Sequence, residues 1–196
     1  MELMARYHDK YFDLAIVDPP YGIGASEMTM GSGKNKKYKK EKNWDNETPN
    51  EDYFNELFRV SKNQIIWGAN NFFLPPTEYF CIWDKKQTVD NFATAEYAWV
   101  SMGLKKPAKI FTYSIHQHNQ TNKIHPTQKP VKLYKWILQN YTKEGDKILD
   151  THLGSGSSRI AAYDMGFEFT GFELDKDYFE SSEKRFQQHI AQLTLF

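Results

Sequence analysis

Two hydrophobic rhythms alternate along this chain: short runs of adjacent apolar residues, and longer stretches in which apolar residues recur every three or four positions. "FDLAIVD", residues 12 to 18, is a short apolar run closed by an acid, the pattern of a strand buried in a parallel sheet. In "ETPNEDYFNELFRVSK" the spacing of Tyr53, Phe54, Leu57 and Phe58 predicts a helix, with Thr48 as N-cap, Pro49 in the first turn and Glu51 completing a capping box. "NQIIWGANNF" and "EYFCIWDKK" predict two further strands, while "FATAEYAWVSM" fits either a strand or a short helix. Leu133, Trp136, Ile137 and Tyr141 place a helix in "KPVKLYKWILQNYT", with Gly145 just beyond its end. Strand "DKILD", helix "SSRIAAYDMG", strand "FEFTGFE" and a last helix carrying Phe179, Phe186, Ile190 and Leu193 on one face complete the series. This alternation predicts an α/β fold, a Rossmann-like and mostly parallel twisted sheet with helices on both faces, whose ligands sit outside the carboxyl ends of the strands.

Length and composition narrow the picture. At 196 residues with 40% hydrophobic side chains, and without an internal repeat or a linker, the chain is expected to form a single domain over residues 1–196. The lone Cys81 excludes an intrachain disulfide framework and a multi-cysteine metal site, which makes a reducing cytoplasm the expected setting. "MELMARYHDK" lacks the apolar stretch of a signal peptide and no run approaches ~18 apolar residues, so neither export nor a membrane span is expected. Net charge is zero, with 25 basic and 25 acidic residues, which argues against a general basic coat but not against a local patch. Lys34, Lys36, Lys37, Lys39, Lys40 and Lys42 form such a patch against Glu41 alone.

Three stretches carry chemistry. In "DPPY", neither Pro19 nor Pro20 has an N–H, so the backbone offers only carbonyl oxygens beside the acceptor-only carboxylate of Asp18. Such a rim suits a ligand that donates: an exocyclic amino group whose hydrogens go to Asp18 and the Pro19 carbonyl, with Tyr21 stacked on the attached ring. Those acceptors would also stabilise the positive charge growing on the nitrogen as it attacks an electrophile. "KILDTHLGSGSSRIAAYDMGFEFTGFE" is a strand, a glycine turn, a helix, a strand and an acid. Gly154 and Gly156 allow close backbone approach, the helix start at Ser157 offers N–H groups, and Glu173 can take two ribose hydroxyls. Arg159 stands where a dinucleotide fingerprint has its third glycine, which disfavours a pyrophosphate-bearing cofactor. In "IHPTQKP" two prolines are expected to hold an extended segment that presents His125, Thr127, Gln128 and Lys129.

Together these motifs resemble the S-adenosylmethionine-dependent amino-methyltransferases of DNA, specifically the circularly permuted β group, in which "DPPY" comes first, "HPTQKP" follows and "D…GSG…E" comes last. The resemblance covers nearly the whole chain. It implies that Asp18, Pro19, Pro20 and Tyr21 hold a flipped base, with Asp18 also at the edge of the cofactor site. It further implies that Asp150, Gly154, Gly156 and Ser157 line the methionine end of the cofactor, that Glu173 binds its ribose, and that Thr127 and Lys129 help hold its carboxylate. His152 stands where the family usually has Phe and is kept as a cofactor contact. No metal is implied.

Methylation at cytosine C5 would need a reactive cysteine, and Cys81 in the apolar "YFCIWD" reads as buried and inert. The family's usage of Asp in the first motif position favours adenine N6 over cytosine N4. The lysine-rich segment, within a loop at about 25–47, is expected to be mobile and to close on the phosphate backbone of DNA. Residues 84–123 leave only a small region for sequence recognition, and His116, His118 and His125 read as surface histidines. Cytosine N4, RNA or a protein glutamine as substrate stay open as alternatives, as does a catalytically silent DNA-binding subunit. A homodimer, a separate recognition partner, and a bacterial or phage setting tied to restriction are equally open.

Overall fold

Each of the apolar runs becomes a strand. The computed structural model describes residues 2–24, 45–90, 92–118 and 123–193. In chain order the elements are β1 (Phe12–Val17), α1 (Glu51–Val60), β2 (Ser61–Trp67), β3 (Phe80–Asp84), β4 (Ala95–Val100), β5 (Lys109–Thr112) and the single turn α2 (Ile115–His118). They continue with α3 (Val131–Tyr141), β6 (Lys147–Asp150), α4 (Ser157–Asp164), β7 (Glu168–Gly171) and α5 (Lys176–Leu193). The seven strands form one sheet in the order β5-β3-β4-β2-β1-β6-β7.

All neighbours pair in parallel except β4, which runs antiparallel between β2 and β3. "FATAEYAWVSM" therefore resolves as a strand, and an interior one, with Ile66 opposite Trp99 and Trp83 opposite Glu96. The segment from 84 to 123, expected to serve recognition, gives β4 and β5 to this sheet.

Side chains alternate across the sheet, so each central strand feeds two cores. Leu14, Ile16, Ile65, Trp67 and Ile148 pack beneath α3 and α4, with Leu133, Ile137 and Ala161. Ala15, Val17, Ile66 and Leu149 pack on the other face against Tyr53, Phe54 and Leu57 of α1. Full burial of each large aliphatic side chain stabilises the fold by ~1.5–3 kcal/mol before entropy is counted.

Three local expectations need correction. The N-cap of α1 is Asn50, not Thr48: its extended backbone and its side-chain oxygen, which accepts from Tyr53 N at 3.0 Å, start the helix two residues later. The segment before α3 is not extended, because Pro126 sits at the second position of a turn in which Gln128 N donates to the His125 carbonyl at 3.2 Å. On α5, Phe179 is exposed while Tyr178 and Ser182 face inward with Phe186. The buried stripe follows the glycine turn, which it covers, rather than the largest apolar residues.

Parallel β1, β2, β6 and β7 all end on one side of the sheet. Antiparallel β4 begins there, which brings Glu96 to the same place as Asp18, Asp150 and Glu173.

Candidate active site

Asp18 follows the last residue of β1 and opens onto a cleft of about 1170 Å³. Each oxygen of its carboxylate accepts from one donor within the protein. Tyr21 OH donates to Oδ1 at 2.6 Å, and Lys129 Nζ donates to Oδ2 at 2.5 Å. Tyr21 is itself held in place. Asp45 Oδ1 accepts from Tyr21 N at 2.6 Å and Gly22 N at 3.0 Å, pinning the backbone that follows the two prolines. The ring lies where Gly68 has no side chain: a Cβ there would stand 2.0 Å from Tyr21 Cε1. Burial, reinforced by Asp18, pushes the Tyr21 pKa well up, so its hydroxyl stays a donor.

Lys129 is the centre of a buried charge cluster. Its ammonium, 4% exposed, lies 2.5 Å from Asp18 Oδ2 and 3.0 Å from Glu96 Oε2, while Glu96 Oε1 pairs with Lys85 Nζ at 2.5 Å. Burial disfavours the Glu96 carboxylate, but Lys129 and Lys85 outweigh it and hold its pKa at about 2. Burial likewise opposes the charge on Lys129, and Asp18 and Glu96 overcome it, raising its pKa. The two acids and two ammonium groups balance, as buried charges must.

On the far wall stands the glycine turn. Gly154 and Gly156 have φ of +49° and +71°, a backbone that L side chains rarely adopt. Glu173 Oε2 accepts from Gly154 N at 2.7 Å and Oε1 from Asp175 N at 2.9 Å, which ties the ends of β6 and β7 together. Asp150 lies beneath, accepting from Ser158 Oγ at 2.6 Å and His152 N at 3.0 Å, and burial raises its pKa to about 7. Ser157, 2% exposed, accepts from Arg185 at 2.9 Å, and the same guanidinium reaches the Ser155 carbonyl at 2.7 Å. Arg159 turns away toward Glu183 and Phe186 on α5.

His152 forms part of the cleft floor. Its Nδ1 lies 3.0 Å from Thr151 Oγ1, which in turn lies 2.7 Å from Tyr53 OH, and its ring packs edge-on against Tyr53. Burial lowers its pKa to about 4, so the imidazole is neutral near pH 7. Thr127 lines the same cleft, its Oγ1 3.1 Å from His125 Nδ1.

The structure thus gathers Asp18, Pro19, Pro20, Tyr21, Thr127, Lys129, His152, Gly154 and Glu173 around one cavity. Asp150, Gly156 and Ser157 support its wall from behind. Lys129, expected beside a cofactor carboxylate, directs its charge to Asp18 and Glu96. Lys34, Lys36, Lys37, Lys39, Lys40 and Lys42 lie outside the described residues. Cys81 is buried in the sheet and burial pushes its thiol up to about 12, far from nucleophilic behaviour at neutral pH.

A family model described as DNA methylase, N6_N4_Mtase, matches residues 60–184. The chain belongs to this family. The matched span runs from the last residue of α1 into α5 and includes Glu96, Lys129, Asp150 and Glu173. Type II methyltransferase M2.DpnII of Streptococcus pneumoniae is 43% identical over 63 residues, 32% of this chain and 24% of that protein. M2.MboI of Moraxella bovis is 24% identical over 233 aligned residues, 96% of this chain and 85% of that one. Matches to the first curated relatives span about a quarter of their length. Among solved structures, the M1.HpyAVI–SAM complex shares the fold at a TM-score of 0.59 and 20% identity, covering 93% of this chain and 92% of the other. The cytosine-N4-specific PvuII DNA methyltransferase does so at 0.58 and 13%, covering 96% and 87%.

Against that DNA methylase background, Asp45, Gly68, Lys85 and Glu96 are the site residues the motifs did not reveal. Only Glu96 left a signal, as the single charge within the apolar run "TAEYAWV". The others act from loops whose partners are distant in sequence. Among the described residues no helix is long and apolar enough to cross a membrane.

Proposed function

We propose that the chain transfers a methyl group from S-adenosylmethionine to the exocyclic amino group of a DNA base, adenine N6 ahead of cytosine N4. One observation carries this reading: the acceptor rim at Asp18–Pro19–Pro20, whose two prolines have no N–H, and the glycine turn closed by Glu173 line a single cleft. The residues present fit the cofactor. Glu173 spends one lone pair of each oxygen on backbone N–H groups and keeps the others for ribose hydroxyls. Gly154, with Gly156, Ser157 and Asp150 behind it, would hold the methionine end, with Thr127 toward its carboxylate and His152 packed beneath. When bound, S-adenosylmethionine supplies an electrophilic methyl group.

Asp18 and the Pro19 carbonyl accept the two amino hydrogens, align the nitrogen lone pair and stabilise the positive charge that grows there. Tyr21 orients Asp18 through its hydroxyl and offers its ring to the base. No covalent enzyme intermediate is involved. A base inside a duplex cannot reach this cleft, so it must swing out. The lysine-rich segment from Lys34 to Lys42 supplies charge for the phosphate backbone. Asp at position 18 favours adenine, by the family usage noted above. Incubation with mixed-sequence DNA and labelled donor, followed by nucleoside mass spectrometry and mapping, tests all of this. N6-methyladenine is expected; N4-methylcytosine would overturn the base assignment, and unlabelled DNA the activity.

A further inference from the structure

We infer that Glu96 is a positioning residue for the reaction: it is the alternative seat for the Lys129 ammonium, and so decides whether Asp18 is free to accept from the base. The inference rests on the methyl-transfer reading above.

Both oxygens of Asp18 are in use, Oδ1 by Tyr21 and Oδ2 by Lys129. A base amine needs the same acceptor, and a compact ammonium 2.5 Å from Oδ2 competes with it for charge and for lone pairs. Glu96 Oε2 is buried and lies 3.0 Å from that ammonium, close enough to take over the hydrogen bond now given to Asp18. Its partner oxygen is anchored by Lys85 at 2.5 Å, so the carboxylate is fixed with one acceptor turned to Lys129. Rotation about the last bonds of the Lys129 side chain would move its hydrogen bond from Asp18 to Glu96. No charge then leaves the cluster, because Lys85, Glu96, Lys129 and Asp18 sum to zero in either arrangement. Without Glu96 the ammonium has Asp18 as its one carboxylate partner, beside a longer bond to Tyr21 OH at 3.3 Å, and the base meets an acceptor already compensated. The same logic accounts for an acid on an interior strand, where desolvation disfavours it unless a partner is provided.

The test is methyl transfer by Glu96→Gln and by the charge-balanced pair Lys85→Met with Glu96→Gln. Both are expected to lower kcat by about tenfold or more, with the S-adenosylmethionine dissociation constant within about twofold of wild type, and Glu96→Asp is expected to restore much of the loss. A folded double variant with kcat within about twofold of wild type overturns the inference, and so does a loss confined to KM. A crystal structure of the wild type with S-adenosylhomocysteine and an oligonucleotide carrying the mapped site decides without any variant. Lys129 on Glu96 and off Asp18 supports the inference; Lys129 still on Asp18 Oδ2 overturns it. Wild-type protein that transfers no methyl to DNA would instead overturn the parent reading.

Discussion

Replacing His152 by Phe probes the floor of the cleft through its titration. The imidazole packs against Tyr53 and burial lowers its pKa to about 4, whereas an unfolded histidine titrates near ~6.5. Between those values the unfolded chain binds a proton that the folded one refuses, so this group's stabilising contribution is lost as pH falls. Linkage between pH 7.5 and pH 4.5 makes that loss about 2.5 kcal/mol, and Phe, which cannot titrate, escapes it. Asp150 acts in the opposite sense. Burial raises its pKa to about 7, so the fold keeps a proton that the unfolded chain releases above ~3.8, and stability from this group declines as pH rises. In the wild type the two slopes oppose each other over most of this range; in the variant the His152 slope is gone and the Asp150 slope remains. Losing the contact with Thr151 costs about 1 kcal/mol at every pH, so the test lies in how the difference changes, not in its size. Urea unfolding at both pH values should show the variant gaining about 2.5 kcal/mol on wild type at the acid end. Parallel pH profiles would refute the assignment of a neutral imidazole at the cleft floor.

Asp18→Ala should reduce kcat by about a hundredfold or more, with a far smaller effect on S-adenosylmethionine binding by calorimetry, and a variant with most of its activity would remove Asp18 from the mechanism. Gly68→Ala combines a left-handed backbone with a Cβ 2.0 Å from the Tyr21 ring. A stability loss of about 2–4 kcal/mol is expected by denaturant unfolding, and an unchanged midpoint would show that Tyr21 sits elsewhere. Exchanging all six lysines between Lys34 and Lys42 for Gln should flatten the salt dependence of DNA binding, and an unaltered slope would retire that segment as a phosphate contact.

Most of the strand and helix order was legible because buried strands are short apolar runs and the longer helices amphipathic ones; β4 stayed open between strand and helix, and β5, which buries no residue fully, was not read at all. The cleft-forming motifs were legible for a related reason: two prolines and an acid, or paired glycines and an acid, restrict the backbone within a few residues. Lys129 was visible but its partner was not, since Asp18 is 111 residues away in sequence and nothing local reports their 2.5 Å contact. The same holds for Asp45, whose carboxylate fixes a turn 24 residues earlier. The α1 cap was misplaced because Thr48, Pro49 and Glu51 fit a capping box that Asn50, with Tyr53 three residues on, does not, and the backbone geometry at Asn50 overrides that local pattern.

One reversed strand gives the sheet an unusual freedom. Because β4 runs against its neighbours, β3 ends and β4 begins at the mouth of the cleft, with Asp84 opposite Ala95 and Lys85 N bonded to the Thr94 carbonyl at 3.0 Å. Phe92 and Ala93 at the hairpin tip line the cleft, while the stem is locked into the ladder. Residues could be added at that tip without shifting any pairing below it. This is the part of the architecture best able to acquire a new surface toward a long polymer while the chemistry underneath keeps its geometry.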